Sequence, residues 1–252
     1  MPYLDGAQVV LPTADFFPDT FDATPQSVGA LLDRIRAYTP LAGDVGLHLA
    51  FATPDAEGSS ESGGSCSSGG CGTGNKGAAG STRVSRHADG FGFVLDVRWG
   101  DSAPGLVAEL TRATLGAVML ELGEDEHADD IAHDHDLDRE MLAVACGFGA
   151  ILLEASCVYK KACKGMSASR ATHASTSALA MSTAAHLRVM GASASETRRH
   201  LNATQREAFN EALAWVDARP TLIEKLRDAP ELIEVGRPEA EPARGLLARL
   251  FG

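Results

Sequence analysis

Residues 123–140, "GEDEHADDIAHDHDLDRE", place nine carboxylates and three histidines in eighteen positions. His133 and His135 lie two apart with Asp134, Asp136 and Asp138 interleaved, and alternating residues of an extended loop share a face. Imidazoles beside carboxylates suit zinc, nickel or manganese. Working metal sites, however, draw ligands from rigid elements held by further hydrogen bonds. A contiguous acidic run more often solvates a connection between helices and binds divalent ions weakly. The loop reading is preferred, with His127, His133 and His135 kept as candidate donors.

The cysteines offer a second possibility. Cys66 and Cys71, in "SCSSGGCG", have a C-x4-C spacing, which is half of a tetrahedral zinc site, and no second pair completes it. They sit in a Gly/Ser tract with too little apolar surface to offset its ordering entropy, so residues 57–87 are expected to form a disordered insertion. Cys146 and Cys157 fall in apolar patterns and read as small buried hydrophobes. Cys163 lies among Lys160, Lys161 and Lys164, which favour its thiolate and make it the thiol to test for reactivity.

Positioning such residues needs elements, and 252 residues suffice for a sizeable core. Strands are expected at 7–12, 46–52 and 91–98, where apolar residues alternate. Thr24 and Pro25 open a helix with Val28, Leu31, Leu32 and Ile35 at helical spacing, stopped by Pro40. From Gly105 the chain reads as nearly all helix: 105–122, then 138–160, which is apolar almost all round and so expected at the centre. A small-residue helix ending at Gly191 follows, then one from Asn202 that stops before Pro220. The fold class is therefore α+β, a small strand set on a helical bundle. The core should contain Leu110, Leu115, Val118, Leu142, Val144, Phe148, Ile151 and Leu152. The division is 1–56 (strand–helix–strand), 57–87 (insertion), 88–219 (helical core) and 220–252 (tail).

A net charge of −12 argues against nucleic acid or an anionic membrane surface as partner. The N-terminus shows no basic stretch followed by an apolar run, and the apolar stretch Met141–Leu153 is too short to span a bilayer. A cytoplasmic protein with reduced thiols is the expectation.

Three stretches together resemble an uncharacterised bacterial family with a zincin-like metalloprotease core. "VVLPTADFFPDTFDATPQSVGALLDRI" is similar to its opening, where a Pro–Thr turn and an "FP" pair precede the first helix. "GLVAELTRATLGAVMLELG" resembles its metal helix, which would carry H-E-x-x-H. "LDREMLAVACGFGAILLEAS" resembles the following helix, where an acid supplies the third ligand. The likeness spans most of residues 8–217 outside the insertion.

In this alignment the histidines would be Ala113 and Ala117 and the general base Thr114; a shift by one puts Arg112 and Gly116 at the histidine positions. Peptidase chemistry needs two imidazoles one turn apart and a carboxylate to deprotonate zinc-bound water, and neither register supplies them. Glu140 is the remaining acid, expected to find Arg112 or Arg139 as a new partner. The resemblance therefore implies a degenerate zincin-like protein that binds or scaffolds, with no catalytic residue and no cofactor beyond a weakly held divalent ion. Its partner is unknown, a protein being the class considered. The alternative is a protein that handles zinc, nickel or iron through Cys66, Cys71, His127, His133 and His135.

Overall fold

The computed structural model describes residues 8–22, 24–52, 83–96, 103–122, 136–162 and 165–229. The fold is mixed α+β. Helix α1 (Pro25–Arg36) starts where the sequence places it: the Thr24 side chain accepts from Ser27 N and the Ser27 side chain returns to Thr24 N, with Pro25 at the first position. Its apolar stripe, Val28, Leu32 and Ile35, is buried.

Strands β1 (Gly46–Ala52), β2 (Arg83–His87) and β3 (Gly90–Asp96) form one sheet in the order β1-β3-β2. β1 runs parallel to β3, with Leu47 opposite Phe91 and Leu49 opposite Phe93, whereas β2 is antiparallel to it. Alternation sends Phe91, Phe93 and Leu95 inward and leaves Val94 exposed. β2 occupies residues that composition assigns to the insertion: only Val84 of its five residues is a large hydrophobe, and that side chain is fully buried.

Helix α2 (Ala103–Glu121) is the centre of the molecule. Fifteen of its nineteen residues are buried, and it packs against α1, β2, α3 and α4. The segment expected to be one central helix is instead divided into α3 (Asp136–Ala143), a π-helical turn (Val144–Phe148) and α4 (Gly149–Ala155). The break falls at Gly147, whose φ of 96° only glycine adopts readily. A Cβ there would lie 1.8 Å from the Gln8 carbonyl oxygen. This close approach explains why residues 8–12 are not a strand: Val10 N donates to Gly147 O (3.0 Å), so the extended N-terminal segment finds its partner in a helix break.

After α4 the chain forms an antiparallel hairpin, β4 (Val158–Ala162) with β5 (Gly165–Ser169), and residues 158–160, expected to end the 138–160 helix, open its first strand. Helices α5 (Thr176–Val189), α6 (Ala194–His200), α7 (Ala203–Asp217) and α8 (Pro220–Asp228) complete the bundle. α8 lies within the stretch expected to be tail, and its Ile223 is buried. Of the expected core, Leu110, Leu115, Val118, Val144, Phe148, Ile151 and Leu152 are buried, whereas Leu142 is only partly so. No described helix is long and apolar enough to cross a membrane.

Candidate functional site

The interior holds an ion-pair cluster where α2 meets α3. Arg112 is 2 % exposed, in a helix whose buried residues are mostly apolar. Its Nη2 pairs with Glu109 one turn earlier, its Nη1 donates to Glu140 Oε1 (2.9 Å), and Nη1 also donates to the Ala171 carbonyl (2.7 Å). Burial acts against the charge of this guanidinium. Glu109 and Glu140 outweigh that penalty and hold its pKa above the ordinary arginine value.

Glu140 is fully buried and accepts three hydrogen bonds: from Arg112, from His173 N (2.8 Å) and from Ala174 N (2.7 Å). The carboxylate thus fastens α2, α3 and the 171–174 loop at one point. That loop is held further by Thr172 Oγ1 donating to Ala174 O (3.0 Å) and by Ala171 N donating to Ala155 O (3.0 Å).

A second pair lies beside the first. Asp136, the opening residue of α3, accepts from Arg139 Nη1 (3.1 Å) and sits 3.2 Å from His173 Nε2. The side chain of His173 is 28 % exposed, so it is the cluster's opening to solvent. Arg139 reaches across to α2, where a Cβ built on Gly116 would lie 3.3 Å from its Nε. Formal charge in the cluster is three carboxylates (Glu109, Asp136, Glu140) against two guanidiniums (Arg112, Arg139). Every one of these five groups is buried, and such groups are tolerated only when paired.

Glu140 has Arg112 as partner, one of the two anticipated. Asp136 is a buried helix-start residue held by Arg139 and His173, and so is not a loop ligand. Ala113, Thr114 and Ala117 are all buried, and the Thr114 hydroxyl donates to Leu110 O (2.8 Å) within the helix. Arg112 bonds to Glu140 and Gly116 lies against Arg139; these two α2 positions are the pair given by the shifted register. His127, His133, His135, Cys66, Cys71 and Cys163 lie outside the described residues. Among the described residues, no three His, Cys, Asp or Glu side chains are grouped to hold a metal ion.

Glu109 and His173 are the members that the sequence reading missed. Glu109 carries a local signal, an acid three residues before Arg112 in an apolar helix, whereas His173 reaches the site through a long-range loop that no spacing announces. Cys146 is buried, as expected, and burial pushes its thiol up to about 11, while Cys157 is only partly buried. Comparison with family models, curated proteins and solved structures finds no match to this chain.

Proposed function

We propose that this chain is a zincin-like protein whose metal centre has been replaced by an ion-pair cluster, and that it acts by binding or scaffolding rather than by hydrolysis. The observation that carries this reading is the 2.9 Å contact between Arg112 Nη1 and Glu140 Oε1. In the family resemblance, α2 supplies the ligands and α3 the acid that meets them. Here α2 supplies a permanent cation to that acid. The guanidinium offsets one of the two negative charges of Glu140 and Glu109, but it has no open coordination position and cannot turn bound water into a nucleophile.

The shifted register supports the same reading. It places histidine positions at Arg112 and Gly116, the residues against α3, and gives Ala113 the place of the general base. Arg139 lies over Gly116, so the volume that an imidazole would take is filled. With three donors on Glu140 and two carboxylates on Arg112, the cluster stabilises the junction without reactive groups.

The test is elemental analysis after gel filtration together with a chelator-controlled peptide cleavage assay on the full chain. Expected are no stoichiometric metal and no zinc-dependent cleavage. Chelator-sensitive hydrolysis would overturn the proposal. Stoichiometric metal lost on replacing Cys66, Cys71, His127, His133 and His135 would replace it with metal handling.

A further inference from the structure

A cleft of about 440 Å³ opens between the N-terminal segment, α1, α2 and α4, and takes in no member of the ion-pair cluster. Its wall is apolar, built from Phe17, Leu31, Leu106, Val107 and Ile151. Two polar groups stand out against that wall. Glu154, near the end of α4, lines the cleft, and burial is what moves its carboxyl: the pKa is raised, with no neighbouring charge contributing. Among the described residues no cation lies within ion-pair distance of it. Thr13 Oγ1 is buried and has no hydrogen-bond partner.

The other charged residues lining the cleft, Asp19 and Arg34, pair with each other at 3.2 Å and cancel. With Glu154 ionised, the cleft therefore carries one uncompensated negative charge beside apolar surface. An anion would be repelled. A neutral apolar ligand would desolvate the carboxylate and leave it without a partner, which costs free energy. An ammonium head has three donors to offer Glu154, and an apolar body of modest size suits a cleft of this volume and lining.

We propose that this cleft binds an organic monocation, an aryl- or alkylammonium, with its head on Glu154 and its body against Phe17, Leu31, Leu106 and Ile151. This site does not rest on the metal-centre reading. Such a ligand would draw Glu154 back toward its ionised form, so affinity should increase with pH through the carboxyl's titration. Asp19 and Arg34 are the other titratable groups facing the cleft, and their mutual pairing keeps their charge balanced there.

The probe is 2-phenylethylammonium, with 2-phenylethanol as a neutral compound of the same shape, followed by amide NMR shifts on the full chain. Expected is saturable binding of the amine centred on Leu31, Leu106 and Ile151, with the alcohol at least tenfold weaker. Glu154→Gln should bring the amine to the alcohol's affinity, and Val107→Trp, which fills the cleft, should abolish binding of both. The Trp variant keeps the test available if Glu154→Gln does not fold. No saturable shift in the millimolar range, equal affinity for amine and alcohol, or full affinity in either variant would overturn the proposal.

Discussion

Gly116 on α2 and Arg139 on α3 share one space: a Cβ at position 116 would come within 3.3 Å of Arg139 Nε and 3.1 Å of Val84 Cγ2. Val84 is fully buried in β2 and has little room to yield. Gly116→Ala would gain about 1 kcal/mol in helix propensity. Overpacking against Val84 and the guanidinium would cost about 1–3 kcal/mol. The expected outcome is a net destabilisation, read as a lower midpoint in urea denaturation. A raised midpoint would show that the α2–α3 contact is looser than this geometry.

Removing one member of a buried ion pair costs more than the pair is worth, and here the cost is unequal for the two partners. Arg112→Met leaves Glu109 and Glu140 buried without their shared cation and should cost about 3–5 kcal/mol. Glu140→Gln keeps an acceptor for the 171–174 loop and leaves Arg112 paired with Glu109, so about 1–3 kcal/mol is expected. Denaturation of the two variants checks the order. A reversed order would mean that the loop anchorage, and not charge compensation, dominates the cluster.

His186 titrates against folding. Its ring is largely buried, its Nε2 has no partner, and burial lowers its pKa below the ordinary 6.5. As pH falls below that value the unfolded chain takes up the proton before the native one, so the contribution present above 6.5 is progressively lost on acidification. His186→Phe should flatten this part of the stability profile between pH 7 and the lowered native pKa. An unchanged slope would assign it to other groups.

Cys146, with its thiol raised to about 11, has almost no thiolate near neutrality. Peptide mapping after brief alkylation at pH 8 should show Cys157 modified and Cys146 protected. The unfolded thiol ionises near 9.0 while the native one stays protonated until about 11, so this residue's contribution diminishes as pH rises across that window. Cys146→Ala should remove that alkaline loss, measured as the slope of unfolding free energy against pH.

The two registers of α2 can be separated by building histidines into it. Replacing Arg112 and Gly116 with His, and Arg139 with Ala to clear space, should give two imidazoles facing Glu140 and zinc affinity at least tenfold above the Ala113→His, Ala117→His variant. Positions 113 and 117 lie about 100° round the helix from 112 and 116. Isothermal titration with zinc decides it. Equal or tighter binding by the 113/117 variant would restore the first register.

Much of the fold could be read wherever the signal was local. Thr24 and Pro25 mark α1, alternation marks β1 and β3, and Gly191 ends α5 because its φ of 66° is reached easily only by glycine. The failures share a different cause. Residues 8–12 look like a strand, but their partner is the carbonyl of Gly147, and which partner an extended segment finds is a tertiary matter. β2 is five residues with one buried hydrophobe, too short to stand out beside a Gly/Ser tract. The β4–β5 hairpin follows an apolar run that reads as helix, although Val158 and Tyr159 carried a β signal. In the site, the Arg112–Glu140 pair followed from asking what a stranded acid requires. The loop backbone that completes it did not, because hydrogen bonds from main-chain amides leave no mark in side-chain spacing.

The partners of Arg112 are also ordered in time. Glu109 precedes it by three residues, but Glu140 follows by 28 and the Ala171 carbonyl by 59. During synthesis from the N-terminus, α2 can therefore form early with only its own acid for company. Asp136, Arg139 and Glu140 follow with α3, and the Ala171 carbonyl and the His173 and Ala174 amides do not exist until the ribosome has passed residue 174. A nascent chain halted between Glu140 and Gly149 has α1 and β2 to cover part of α2, but it lacks α4, which packs on the same helix, and the loop that completes the pairing of Arg112 and Glu140. The cluster is thus completed last, by the loop that follows the hairpin.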